Sequence, residues 1–175
     1  INGQQEVAEG DGVAEEDPSG AAVRASVAEK LDARAEEIRN MPAIPIKKHD
    51  TSREYVREKY NSLGTAINKR DGKKVTFYHG VFGKMWRGEN SLFAKIAPQL
   101  KDLFESSIYG FSSEDLLAGK KRPDGTIHKV HRNIDNYDYY VGKALINGKD
   151  YYVRFTVQNS EMKGNSGVHD VMVTD

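Results

Sequence analysis

Three histidines (His128, His131 and His169), Lys84, Lys143, Arg154, Thr156, Tyr139 and Tyr152 are the side chains of this 175-residue chain whose types could do chemistry together. Histidine takes or gives a proton near neutral pH. Arginine holds two phosphate oxygens in its planar fork, whereas lysine acts as a point charge. Tyrosine stacks on a base or donates a hydrogen bond. That inventory suits RNA cleavage without a metal. A base takes the ribose 2′-hydroxyl proton, cations hold the charge growing on the phosphorane, and an acid protonates the leaving 5′-oxygen. Each assignment has a plainer rival. His128 and His131 could be hydrogen-bonded strand residues, His169 could only help close the last strand, and Lys84 could be a solvated cation before a helix. His79 reads as structural or exposed.

The element that must position most of these residues is the stretch Tyr137 to Val157, split by Asn147-Gly148. Asn-Gly between two runs rich in Tyr, Val, Ile and Phe signals a two-residue type I′ hairpin, because both turn residues need φ > 0. That turn fixes the register: Ile146 faces Lys149, Lys143 faces Tyr152, Val141 faces Arg154 and Tyr139 faces Thr156. Side chains alternate along a strand, so the hairpin has two unlike faces. Tyr140, Gly142, Ala144, Ile146, Tyr151, Val153, Phe155 and Val157 form the core face. Tyr139, Val141, Lys143, Tyr152, Arg154 and Thr156 form the other, which can bind a phosphate or can be an ordinary solvated face.

The totals narrow the class. A hydrophobic share of 38% and a charged share of 30% describe a soluble protein. No run approaches the roughly 20 apolar residues of a membrane span, and no signal-peptide pattern is present. The first residue, Ile1, suggests a piece of something longer. Without cysteine there is no disulfide or thiolate chemistry, which fits a reducing compartment. The net charge of zero hides an asymmetry: residues 1–19 carry six acidic residues and no lysine or arginine, which leaves the remainder at +6. A basic folded part behind an acidic tail is compatible with a polyanionic partner.

Read in order, residues 1–19 are an acidic disordered tail or linker. Residues 20–46 are an amphipathic helix, striped by Val23, Val27, Leu31 and Ile38, and a connector containing Pro42 and Pro45. Residues 47–175 are the folded domain. Thr51-Ser52-Arg53-Glu54 reads as a capping box, with Gly64 closing that helix. Strands are expected at Thr65–Asn68 and Lys73–His79, around a turn at Asp71-Gly72. A helical zone follows from Ser91 to Ser107, kinked or restarted at Pro98. Phe111–Leu117 reads as a short helical turn capped by Ser112-Ser113. A basic loop, Ala118–Thr126, then leads to strands at Ile127–Arg132, in the hairpin, and at Val168–Val173, with Gln158–Gly167 as a connector. The expected fold class is α+β, with N-terminal helices packed on one face of a curved antiparallel sheet drawn largely from the C-terminal half. No zinc-spaced cluster, Walker or Rossmann glycine pattern, calcium loop or nucleophile elbow occurs. His128 and His131, three apart, would fall on opposite faces of a strand, so neither a metal nor a cofactor is expected.

The order of parts, from G-T-A-I-N-K-R-D-G-K-K-V-T-F-Y through a lysine and a helix ending K-D-L-F-E-S-S to Y-Y-V-G-K-A-L-I-N-G-K-D-Y-Y-V-R-F-T-V and a last H-D strand, resembles a known family. It is similar to the barnase–EndoU–colicin–RelE-like (BECR) nuclease domains of large polyvalent proteins of phages and mobile elements, over about Thr51 to Asp175. The resemblance implies a metal-independent endoribonuclease, toxin- or effector-like, that cleaves host RNA in the bacterial cytoplasm. Its partners would be an RNA substrate and an immunity protein or segments of a parent polyprotein, with no membrane. Carried over by position, Lys84 matches the lysine before the long helix, His131 (or His128) the strand histidine, and Arg154 and Thr156 the basic and hydroxyl residues of the central strand. His169 has no counterpart in the family pattern; by their own chemistry Tyr139, Lys143, Tyr152 and His169 are the residues expected to contact RNA. The family also has members without activity, so the alternative is a BECR-like binding or assembly module.

Overall fold

Asn147 and Gly148 adopt φ of 51° and 81°, the left-handed pair a type I′ turn requires. In the computed structural model, which describes residues 34–112, 136–160 and 165–175, this turn joins the two longest strands among the described residues. They are β5 (Asn136–Ile146) and β6 (Lys149–Ser160), preceded by β1 (Ile44–Pro45), β2 (Thr65–Ile67), β3 (Lys74–Phe77) and β4 (Ile108–Ser112) and followed by β7 (Asn165–Thr174). All four cross-strand pairs expected from the turn occur in the β5–β6 ladder. The core face follows the alternation: Tyr140, Ala144, Ile146, Val153, Phe155 and Val157 are buried. The other face is mixed, because Arg154 is exposed whereas Lys143 and Thr156 are buried.

The seven strands form one curled half-barrel sheet in the order β1-β5-β6-β7-β3-β2, with β4 beside β1 on the outer edge of β5. The class is α+β, but the sheet is mixed, not purely antiparallel. β1 runs parallel to β5, and β3 runs parallel to β7. The reason is topological: strands that return to the sheet after a long crossover can pair in parallel, and the segment from β3 to β7 contains helices.

The helices lie in the N-terminal half. Residues 34–40 form α1, and α2 (Arg53–Asn61) follows the connector. The cap of α2 is Ser52, not Thr51: its Oγ accepts from Tyr55 N, while Ser52 N donates to Asp50 Oδ1. After the short α3 (Phe82–Met85), the expected helical zone divides as Pro98 demands. It comprises α4 (Leu92–Ile96), a 3-10 turn Ala97–Gln99 and α5 (Leu100–Ser106). Phe93, Ile96, Leu100, Leu103 and Phe104 are buried on one side. Phe104 packs against Tyr140 and, edge-on, against Phe155, which locks α5 to the hairpin.

Two further expectations change. Phe111 and Ser112 belong to β4, not to a helical turn. Their strand reads Ile-Tyr-Gly-Phe-Ser and alternates in burial, but Gly110 and Ser112 take buried positions while Tyr109 and Phe111 are half-buried, so the apolar pattern expected of a strand is missing. Much of the expected connector Gln158–Gly167 is strand. Its Asn and Ser residues look loop-like in sequence but bond one another: Ser166 Oγ donates to Asn159 Oδ1, and Asn159 Nδ2 donates to Asp138 Oδ2. The acidic tail, most of the first amphipathic stretch, the basic loop and the strand expected at Ile127–Arg132 lie outside the described residues.

Candidate functional site

The uncovered side of the hairpin is best read in rungs across the sheet. Tyr139 faces Thr156, which faces Asp170; one rung away, Val141 faces Arg154, which faces Met172. In the other direction Tyr137 faces Gln158, which faces Gly167. Between those rungs the β6–β7 register shifts, pairing Thr156 with Asp170 but Val157 with Val168. His169 is the extra residue of this bulge. A bulge re-aims a side chain that would otherwise follow the pleat. Here it brings His169 beside the ring of Tyr137, at 5.5 Å between centroids, on the face that also carries Arg154 and Thr156.

Lys84 arrives from a different element. β3 runs beside Gly167 and Val168, and α3 follows it after one 3-10 turn. Lys84 Nζ thereby lies 3.3 Å from Nε2 and 3.4 Å from Nδ1 of His169. Burial and the Lys84 ammonium both disfavour a second positive charge, and they hold His169 below the usual histidine range against the opposing pull of Asp170. The result is a neutral imidazole at neutral pH with a cation against it. Arg87 supports the lysine's short helix by donating from Nη1 to the carbonyls of Lys84 and Trp86.

Arg154 is held by a stack. Phe111 lies on Tyr139 with centroids 4.7 Å apart and an interplanar angle of 26°, and the Arg154 guanidinium sits 5.7 Å from the centre of the same Tyr139 ring. Tyr139 is thus engaged by two neighbours, and the exposed group of the three is the guanidinium. Thr156, between Arg154 and the bulge, is only 8% exposed.

The structure brings Lys84, His169, Arg154, Thr156 and Tyr139 onto one face. Lys143 and Tyr152 lie together at its far end, where Lys143 is buried, sits over the Tyr152 ring, and donates to the Arg39 carbonyl at the end of α1. His128 and His131 lie outside the described residues. Tyr78, Tyr137, Gln158 and Asp170 belong to the same surface and were not singled out in the sequence. Extending the hairpin alternation by one rung would have found Tyr137 and Gln158. Among the described residues no group of three or more His, Asp or Glu side chains is arranged to hold a metal ion.

No curated protein and no solved structure matches the chain. A family model does, over residues 47–168, which takes in β2 to β6 whole but leaves out β1 and most of β7, His169 included. By that match the chain belongs to the large polyvalent protein-associated domain 3 (LPD3) family.

Proposed function

We propose that the domain is a metal-independent endoribonuclease whose proton transfers run through His169 and Lys84. The observation that carries this reading is the contact between a neutral imidazole and an ammonium on a face that also presents Arg154. A neutral His169 is ready to accept the 2′-hydroxyl proton. The freed 2′-oxygen attacks phosphorus, and the bond from phosphorus to the 5′-oxygen breaks, leaving a 2′,3′-cyclic phosphate and a 5′-hydroxyl end. Lys84 supplies the proton to the departing 5′-oxygen and regains it from the adjacent imidazolium. Proton and charge therefore balance within the pair. Arg154, oriented by Tyr139, holds the non-bridging oxygens, where a preorganised cation is worth most. The Thr156 hydroxyl lies between the two. His169 takes the proton-transfer role first expected of His131 or His128.

Two other observations support the reading. The order of elements resembles BECR nuclease domains, and the family is one associated with large polyvalent proteins. The test is incubation of the protein with tRNA and rRNA in excess EDTA, followed by analysis of fragment ends. Fragments ending in 2′,3′-cyclic phosphate are expected, and their loss is expected in His169→Ala. Intact RNA at high protein concentration would overturn the catalytic reading and leave a BECR-like binding or assembly module.

A further inference from the structure

Beside the Lys84–His169 pair lies a group of side chains that the cleavage step does not use. Gly167 stands on the same face as Gln158, opposite it in the β6–β7 ladder. The Tyr78 ring fills the space above Gly167: a Cβ there would fall 1.8 Å from Tyr78 Cε2. Only glycine lets that ring lie on the sheet, and Tyr78 remains 38% exposed although it is a large aromatic residue. On the other side of Gln158 its ladder partner Tyr137 places a second ring, which is also the ring packed against His169. Gln158 is thus flanked along its rung by two aromatic rings. Its carboxamide has no hydrogen-bond partner among the described residues, although it offers both a donor and an acceptor.

Aromatic rings that flank a carboxamide suit an unpaired nucleobase. The π-face stacks on a ring, and the amide pairs with the base edge, which is open only in single-stranded RNA. Building on the cleavage reading, we propose that Tyr78, Tyr137 and Gln158 form a nucleobase subsite that takes the unpaired base next to the scissile phosphate. Tyr78 and Tyr137 supply stacking surface, which every base shares. Gln158 supplies the discrimination, because only an edge with complementary donors and acceptors satisfies both halves of its amide. Gly167 is the positioning residue for Tyr78. The bulge that re-aims His169 starts two residues beyond Gly167, so base recognition and proton transfer are set by the same short run of β7.

The experiment uses the full chain and fluorescein-labelled 2′-O-methyl homo-oligonucleotides of A, C, G and U, which lack the nucleophile and stay intact. Binding is read by anisotropy. Wild type is expected to favour one base by about tenfold or more. Gln158→Leu should bring the four affinities together, and Gln158→Glu, which keeps the shape but loses the donor, should change which base is favoured. Gly167→Ala should weaken all four by about fivefold or more, through loss of the stacking ring. Equal or absent binding of the four by wild type, or a preference unchanged in both Gln158 variants, would overturn the subsite. A preference abolished by Gln158→Leu in a protein that cuts no unmodified RNA would keep the subsite and sink the cleavage reading. Cleavage without base preference would do the reverse.

Discussion

Lys84 Nζ approaches both ring nitrogens of His169 almost equally, at 3.3 and 3.4 Å, although 85 residues separate the two in sequence. An ammonium has donors only, and a neutral imidazole has one accepting nitrogen, so the contact is favourable only while the ring is uncharged. Protonating the ring would set two cations against each other. The pair therefore couples the charge of a β7 bulge residue to the placement of α3.

His169 should titrate below the ordinary histidine value of about 6.5. Burial is the larger cause and Lys84 the second, so Lys84→Met should move the midpoint upward without restoring it fully. Asp170→Asn removes the opposing influence and should lower it further. Because the folded state resists protonation, the unfolded chain binds the proton first as pH falls. Stability from this residue is complete above about pH 6.5 and declines as pH drops toward the folded value. Nuclear magnetic resonance of the His169 ring proton reads the midpoint directly. An unchanged midpoint in Lys84→Met would dissolve the coupling; in Asp170→Asn, which keeps both proton-transfer groups, the acid limb of the cleavage profile should move to lower pH with the midpoint.

Arg154→Ala should lower kcat/KM for RNA cleavage by about 10²–10³, the usual cost of removing one preorganised group that faces developing charge. Arg154→Lys should recover only part, since a point charge cannot reproduce the fork or its stacking. Arg154 is exposed, and its cation–π contact with Tyr139 contributes about 0.5–1 kcal/mol, so folding should hardly change. Steady-state kinetics beside a thermal melt separate the two effects. A large fall in Tm together with lost cleavage would mean that Arg154 acts through the fold.

The hairpin was legible because one dipeptide carries a conformational demand, φ > 0 at both Asn147 and Gly148, that few sequences meet. From it the register and both faces follow by counting, down to Arg154 and Thr156. Pro98 was legible for the same kind of reason, as a covalent restriction on the backbone. The Lys84–His169 contact was not. It depends on a register shift between Thr156 and Val157 and on the parallel pairing of β3 with β7, and both are decided by packing between distant segments. Strand β4 was lost because Gly110 and Ser112, not its aromatics, fill two of its buried positions, and the strand part of Gln158–Gly167 to side chains that mimic a loop.

Lys143 shows how a surface cation in the pattern becomes internal in the fold. Its Nζ donates to the Arg39 carbonyl, where the exposed carbonyls of a helix end favour a cation. Lys143→Met keeps the apolar stem and removes the charge. A hydrogen bond to a charged group contributes about 1.5–3 kcal/mol, so the variant should lose stability of that order. Hydrogen exchange should quicken in residues 34–40 while β5 keeps its protection. RNA affinity should stay at the wild-type value. A sharp loss of affinity with α1 undisturbed would place Lys143 in the binding surface instead.

Gly142 tests whether the helical layer sets the site from behind. A Cβ at this position would lie 3.0 Å from the Leu103 carbonyl oxygen, so α5 rests directly on the backbone of β5. Gly142→Ala forces that backbone contact apart, and overpacking of this kind costs about 1–3 kcal/mol. The displacement is borne by the segment carrying Phe104, whose ring locks Tyr140 and Phe155. One rung away on the opposite face, Val141 faces Arg154. A urea titration should show the lowered stability, and Arg154 should reorient with the strand, so base preference should persist while cleavage falls. Unchanged stability would mean that α5 shifts freely and that the site is insulated from the core.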